Sequence, residues 1–228
     1  MNRSVFFVTG TSTGVGKTVL AAALARHFRK RGVKVAALKP ICSGDRNDAR
    51  LLRAATGNGL TLDEVNPWHF RAPLSPLLAA RKEQEKVTLK QVVAHARPIR
   101  KKYEVVIVEG AGGLLSPLGE GFDSRDLVTT LRATPIVVCP NRLGAVNQIL
   151  LTLDALPTAA ASRAQIVLMN PPRLDLAART NPKLLAEFVG TGRIHSLDWL
   201  GKNPFAVATG KLPSVRKMLN HFVHAIAL

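Results

Sequence analysis

The sequence predicts an α/β fold, a mostly parallel sheet flanked by helices on both faces. Short runs rich in Val and Ile recur along the 228 residues. They lack the polar alternation of half-exposed strands, and segments of helical character separate them. The first run, "VFFVTG" from Val5, leads into a helix expected over 17–30. "VKVAALKP" from Val33 supplies the second strand, and after two loop-like stretches a helix is expected over 88–102. "YEVVIVEG" from Tyr103 precedes a helix over 123–132, and "TPIVVCP" from Thr134 precedes one over 145–156. "AQIVLMN" from Ala164 is the last strand expected, with a helix over 181–189 after it. Strand followed by helix, repeated, implies parallel pairing and places functional loops at the carboxyl ends of the strands.

The length and the 46% apolar content fit one domain over 1–228 with a continuous core. No apolar run approaches the ~20 residues that span a bilayer, and Met1-Asn2-Arg3 leads straight into a strand pattern. A soluble cytoplasmic protein with no membrane partner is expected. Cys42 and Cys139 stand far apart beside apolar residues, which suits core packing rather than a disulfide or metal site. Lys and Arg number 32 against 15 acidic residues, a formal charge of +17. The densest clusters, Arg26 to Gly32 and Arg97 to Glu104, fall at expected helix ends, where cations complement the macrodipole. With one Tyr and two Trp to stack on bases, a solvated surface is expected ahead of a nucleic-acid partner.

The chemistry concentrates in the loops. "GTSTGVGKT", Gly10 to Thr18, lies between the first strand and the first helix. Gly14 and Gly16 leave room for backbone N–H groups to converge on anionic oxygens, Lys17 is a point charge, and Thr18 offers a hydroxyl to Mg²⁺. Glu109 follows a buried strand and precedes small residues, a suitable place for a carboxylate on the same ion. Asp45 and Asp48 open a helix after the second strand, and either would serve as its cap. Lys39 ends that strand beside the first loop, within reach of a terminal phosphate and a second anion. Gly110 to Gly113 suit close backbone approach to a ligand or a tight turn. Gly144 to Asn147 begin a helix whose free N–H groups suit a carboxylate. The six histidines share no spacing and are assigned neither catalysis nor metal.

The usual phosphate loop carries a glycine where this chain has Thr11. The variant resembles a subgroup of phosphate-loop proteins that includes the partition ATPases, whose early second lysine is Ser12 here. Within the subgroup the loop resembles that of the dethiobiotin synthetase family. So do "KPICSGDRNDARLL", "NPWHFRAPLSP", "VEGAGGLLSPL", "RLGAVNQ" and "NPFAVATGK", in the family's order. The resemblance implies a P-loop enzyme that uses ATP, with Mg²⁺, to join CO₂ or bicarbonate to 7,8-diaminononanoate, giving dethiobiotin, ADP and phosphate. It implies catalytic Lys17, Lys39 and Ser43, and metal ligands Thr18, Asp48 and Glu109. Nucleotide contacts would come from Thr13, Gly14, Val15, Gly16, Lys17, Thr18, Glu109, Asn170, Asn203 and Pro204. Substrate contacts would come from Thr11, Ser43, Gly112, Gly113 and Leu114. Gly144, Ala145, Val146 and Asn147 would join them from the other subunit of a homodimer.

Three positions depart from the family pattern: Ser12 replaces an aspartate, Pro171 a polar or acidic residue and Asp198 a proline. The alternatives are a nucleotide-switched partition-type ATPase that binds DNA or an acidic partner, and an amide-forming ligase. Lys17→Ala or Lys39→Ala is expected to abolish turnover and leave the fold intact.

Overall fold

The computed structural model describes residues 3–201, 204 and 213–225. In chain order its elements are β1 (Ser4–Gly10), α1 (Lys17–Lys30), β2 (Val35–Leu38), β3 (Ile41–Ser43), α2 (Asn47–Ala55), α3 (Leu62–Val65), β4 (Trp68–Phe70), α4 (Pro76–Lys82) and α5 (Leu89–Lys102). Then come β5 (Val105–Glu109), α6 (Ser124–Leu131), β6 (Thr134–Pro140), α7 (Ala145–Asp154), α8 (Thr158–Ala161), β7 (Gln165–Met169), α9 (Leu176–Val189), β8 (Ile194–Leu197) and α10 (Pro213–Ala225). The main sheet has the order β2-β5-β1-β6-β7-β8, and every pairing in it is parallel. β3 and β4 form a small parallel pair of their own. Among the described residues, no helix is long and apolar enough to cross a membrane.

The central strands read as unbroken apolar runs because helices bury both of their faces. Phe7, Val8, Val105, Ile107, Val137 and Val167 are all buried, and Phe6 stacks on Phe28 of α1 with ring centroids 6.2 Å apart. The edge strand β8 obeys a different rule. Its buried side chains alternate with half-exposed ones, so "IHSL" carries no continuous apolar signal, and the sequence reading passed over it.

Helix starts follow side-chain chemistry. Thr61 with Glu64, Thr88 with Gln91, and Asp123 with Asp126 form capping boxes on α3, α5 and α6, each satisfying amide groups that the first turn leaves unbonded. The start of α9 corrects an expectation. The sequence predicts a helix over 181–189. Instead Asp175 accepts the Ala178 N–H at 2.7 Å and starts the helix at Leu176. Pro182 cannot donate to the Ala178 carbonyl one turn back, and the Asn141 side-chain amide donates to that carbonyl at 2.8 Å instead.

Candidate active site

The loop from β1 to α1 is shaped by two glycines. Gly16 has φ 100° and Gly14 has φ 72°, in the left-handed region that side chains disfavour. A Cβ on Gly16 would also meet the flexible end of Met169, Cε, at 2.8 Å, so it is the backbone angle that calls for glycine there. No side chain caps α1, which leaves its first N–H groups for an anion.

A cavity of about 770 Å³ opens against this loop. Its lining includes Thr13, Gly14, Gly16, Lys17 and Thr18 from the loop and α1, Lys39, Ser43 and Asp48 from the second strand region, Glu109 at the end of β5 and Gly112 after it. The strand register explains the meeting. β5 lies between β1 and β2, so Glu109 at its carboxyl end falls between Thr18 and Lys39. Thr18 Oγ1 donates to Glu109 Oε1 at 2.8 Å, and Lys39 Nζ donates to the same oxygen at 2.5 Å. Lys39 Nζ also reaches the Gly110 carbonyl at 3.1 Å and Asp48 Oδ2 at 3.2 Å. Lys17 Nζ instead donates to the Ser12 carbonyl at 2.9 Å.

The two lysines are both buried and titrate in opposite directions. Burial, and then the charge of Lys39, push Lys17 down to about 8, against a smaller pull from Glu109 and Asp48. Burial works against the Lys39 ammonium too, but the charges and hydrogen bonds of Glu109 and Asp48 outweigh it and hold its pKa above the ordinary value. Lys39 is therefore a fixed cation, whereas the charge of Lys17 depends on what occupies the cavity.

The donor set suits a hard divalent cation. Glu109 is 1% exposed, and its Oε2 is buried without a hydrogen-bond partner, an acceptor that burial would otherwise leave destabilised. With Thr18 Oγ1 and the half-exposed carboxylate of Asp48, it forms a two-carboxylate, one-hydroxyl set open to water and phosphate oxygens, as Mg²⁺ prefers. Among the described residues, no group of three or more His, Cys, Asp or Glu forms a closed metal cage. The choice between Asp45 and Asp48 follows from their contacts. Asp45 Oδ1 accepts the Asn47 N–H at 2.7 Å at the start of α2, and Asp48 is left to face Lys39.

A second recess of about 580 Å³ adjoins the cavity and shares Thr13 and Ser116 with it. Thr11, Gly113 and Leu114 line it, with Gln148 and Leu151 of α7. Ser116 Oγ accepts the Gly113 N–H at 2.9 Å and fixes the wall between the two spaces. Ser43 lines the cavity, and its hydroxyl donates to the Leu74 carbonyl at 2.6 Å. Asn66 acts behind the wall. Its amide donates to the Lys39 carbonyl at 2.7 Å while its Oδ1 accepts from Arg46 Nε at 3.0 Å, anchoring the chain on which Lys39 stands. The Asn-Pro opening of "NPWHF" was the only sequence signal for that role.

Other expected residues stand apart from the cavity. Val15 is a buried core residue. Gly144 to Asn147 begin α7 but line neither space, and Asn147 lies in a separate hollow with Arg193. Asn170 Oδ1 accepts from Asn141 and its Nδ2 donates to Asp198 Oδ1 at 2.9 Å, which ties the ends of β6 and β7 to the chain after β8. Pro204 lies in a turn outside both spaces, and Asn203 lies outside the described residues. Cys42 and Cys139 are both buried free thiols, as expected.

Residues 4–204 match the family model described as an AAA domain. The chain is 39% identical over 184 residues to the ATP-dependent dethiobiotin synthetase BioD of Akkermansia muciniphila, covering 80% of this chain and 86% of that one. It is 35% identical over 212 residues to the BioD enzyme of Thermodesulfovibrio yellowstonii, with coverage of 86% and 88%. Among solved structures it resembles the MinC:MinD cell division complex of Aquifex aeolicus, with a TM-score of 0.64 at 13% identity over 99% of this chain and 96% of that one. It also resembles pNOB8 ParA bound to nonspecific DNA, at 0.61 and 13% with 98% of each chain covered. At such identities the structural likeness shows the fold alone.

Proposed function

This chain belongs to the dethiobiotin synthetase family, an ATP-dependent ligase family, and from that premise we propose how its cavity closes the cyclic urea. The substrates are 7,8-diaminononanoate, CO₂ and ATP. One amine adds CO₂ and loses a proton, giving a carbamate. A carbamate oxygen attacks the γ-phosphoryl group of ATP, ADP departs, and a carbamic-phosphoric anhydride remains. The second amine then attacks the carbamoyl carbon and gives up a proton to the departing phosphate, which leaves with the bonding pair, and the ring is closed. No protein nucleophile takes part.

The difficulty is that two anions must meet, and the chain's part is to neutralise and align them. The observation that carries the reading is the placing of Lys39 Nζ, 2.5 Å from Glu109 and 3.2 Å from Asp48, in the same cavity as Lys17 and Thr18. Lys17 and the open amino end of α1 hold the β- and γ-phosphates. Lys39 faces the oxygens between carbamate and γ-phosphoryl, where charge shifts during transfer. Thr18, Glu109 and Asp48 would hold Mg²⁺, which when bound screens the phosphate charge. Thr11, Gly113 and Leu114 line the adjoining recess, which has the apolar wall a diamine chain needs, and Ser43 positions its reacting end.

The recess is completed by a second subunit in this reading. Gly144 to Asn147 lie away from the cavity of their own chain, beside Leu143, which is 86% exposed. A homodimer would cover that leucine and bring the amino end of α7 to the partner's substrate carboxylate. Two buried free thiols accord with a reducing cytoplasm. The deciding experiment is phosphate release from MgATP and bicarbonate with and without the diamine. Release dependent on the diamine, with dethiobiotin formed in equal amount, is expected; release indifferent to it would overturn the assignment.

A further inference from the structure

The synthetase reading leaves the opposite edge of the sheet unused. All six strands of the main sheet run parallel, so their amino ends share one edge, away from the cavity. A cation precedes each strand: Arg3 before β1, Lys34 before β2, Lys102 before β5, Arg132 before β6, Arg163 before β7 and Arg193 before β8. Five of the six are exposed and Arg193 is half-buried. The last turn of α1 adds further basic side chains. Among the described residues, none of the six forms an ion pair; the pairs present join Lys39, Arg46, Arg81 and Arg125 to acids elsewhere.

Carboxylates near this edge are few. Glu104 opens β5, and its Oε1 accepts the Lys34 N–H at 2.8 Å. Glu64 faces Lys102, and Asp154 and Glu187 lie in the last turns of α7 and α9. Helix ends engage part of the row: Arg163 Nε donates to the Ala159 carbonyl at 2.9 Å, and Arg193 donates to the Val189, Ala161 and Ser162 carbonyls. The exposed charges of Arg3, Lys34, Lys102, Arg132 and Arg163 still share one edge with little opposite charge between.

We propose that this edge is a binding site for the phosphate backbone of a nucleic-acid duplex. Strands about 4.8 Å apart make a row roughly 24 Å long, the length over which a duplex presents about seven base pairs and about fourteen phosphates. Cations at that spacing read backbone, not bases. Among the described residues at the edge, the aromatic side chain of Tyr103 is half-buried with Lys34 Nζ over its ring at 5.7 Å, which offers a single strand no stacking platform. Among the described residues, no exposed large apolar side chain stands within two residues of these strand starts, and so none supplies the anchor that a membrane surface would use. The sequence alone could not show the row, because its members are separated by whole strand-helix units.

The test is fluorescence anisotropy of a labelled random-sequence duplex of 24 base pairs with the full chain at several salt concentrations. Contacts from the five exposed members of the row give a slope of log K against log salt near about −4.5, or roughly a five-hundredfold loss of affinity between 50 and 200 mM. The double variant Arg132→Asn, Arg163→Gln should reduce that loss to about fortyfold. Asparagine tolerates the left-handed backbone of position 132, where φ is 51°, so folding should survive, as a thermal melt and unchanged diamine-dependent phosphate release would verify. A parent slope shallower than about −2, or a double variant that binds as the parent does, overturns the proposal. So does binding to phosphatidylglycerol vesicles without binding to the duplex.

Discussion

Replacing Lys39 by methionine separates its two duties. Its ammonium is 2.5 Å from a Glu109 carboxylate that is 1% exposed, and the second oxygen of that carboxylate already lacks a partner. Removing one member of a buried pair leaves an uncompensated charge and costs about 3–5 kcal/mol. Asp48 is half-exposed, and its share of the loss is small because water screens it. At about 2–4 °C per kcal/mol for a chain of this size, the unfolding midpoint should fall by roughly 6–20 °C. Adding Glu109→Gln to the same chain removes the stranded charge and should restore most of that loss, while turnover stays at least about a hundredfold below the parent. The midpoints are read by circular dichroism in EDTA without nucleotide, and turnover by diamine-dependent phosphate release. A single variant melting within 2 °C of the parent, on the order of 1 kcal/mol, would refute the buried-pair argument, as would a double variant no more stable than the single one. The sequence suggested a loss of activity without a loss of stability, an expectation that suits Lys17 better than Lys39.

Lys17, held down to about 8, is mostly neutral above that pH in the empty site and must take up a proton when phosphate binds. The dissociation constant for ADP, measured by calorimetry, should rise by up to about tenfold per pH unit above 8; a flat profile to pH 9.5 would remove Lys17 from the phosphate site. His195 is 3% exposed and held down to about 4 by burial and by His221, so the unfolded chain binds the proton first. Its contribution is complete above about pH 6.5 and is lost as pH falls toward 4. Urea melts should show about 2–3 kcal/mol less pH dependence between pH 7 and 4.5 in His195→Gln, and equal dependence in both chains would contradict the assignment. Leu143→Lys alters a side chain that is 86% exposed, so protomer stability should change by less than about 0.5 kcal/mol. Sedimentation equilibrium should then show monomers, and a variant that still dimerises would place the interface away from α7.

The parts legible in the sequence were those in which one physical cause dominates. Burial on both faces makes β1, β5, β6 and β7 apolar runs, and α1 begins at Lys17 as expected because the glycine loop ends there. Where two causes compete, the reading failed. Pro182 lies inside α9, and the carbonyl it cannot reach accepts instead from Asn141 of a neighbouring loop. β3 and β4 are three residues each, too short for a period of two to register. In the site, the residues that carry charge were found because carboxylates and lysines at strand ends are conspicuous. The residues that hold them were missed. Asn66 acts through several hydrogen bonds, among them to the Lys39 carbonyl and from Arg46, and Ser116 through one within a turn, and no spacing rule distinguishes such residues from ordinary turn polars.

The two buried lysines show why the cavity needs both. A lysine with acidic neighbours keeps its charge but has it largely neutralised by them. Lys39 is in that state, with Glu109 and Asp48 beside it. For Lys17 the pull of the same acids is outweighed by burial and the charge of Lys39, so it gives up some basicity while donating to the Ser12 carbonyl. The first arrangement fixes position before any ligand arrives, since three acceptors hold one ammonium. In the proposed reaction the second would provide affinity, since incoming phosphates would complete a charge balance that the protein leaves open. Ser12 takes part in that division through its backbone carbonyl alone, which accepts the Lys17 ammonium at 2.9 Å.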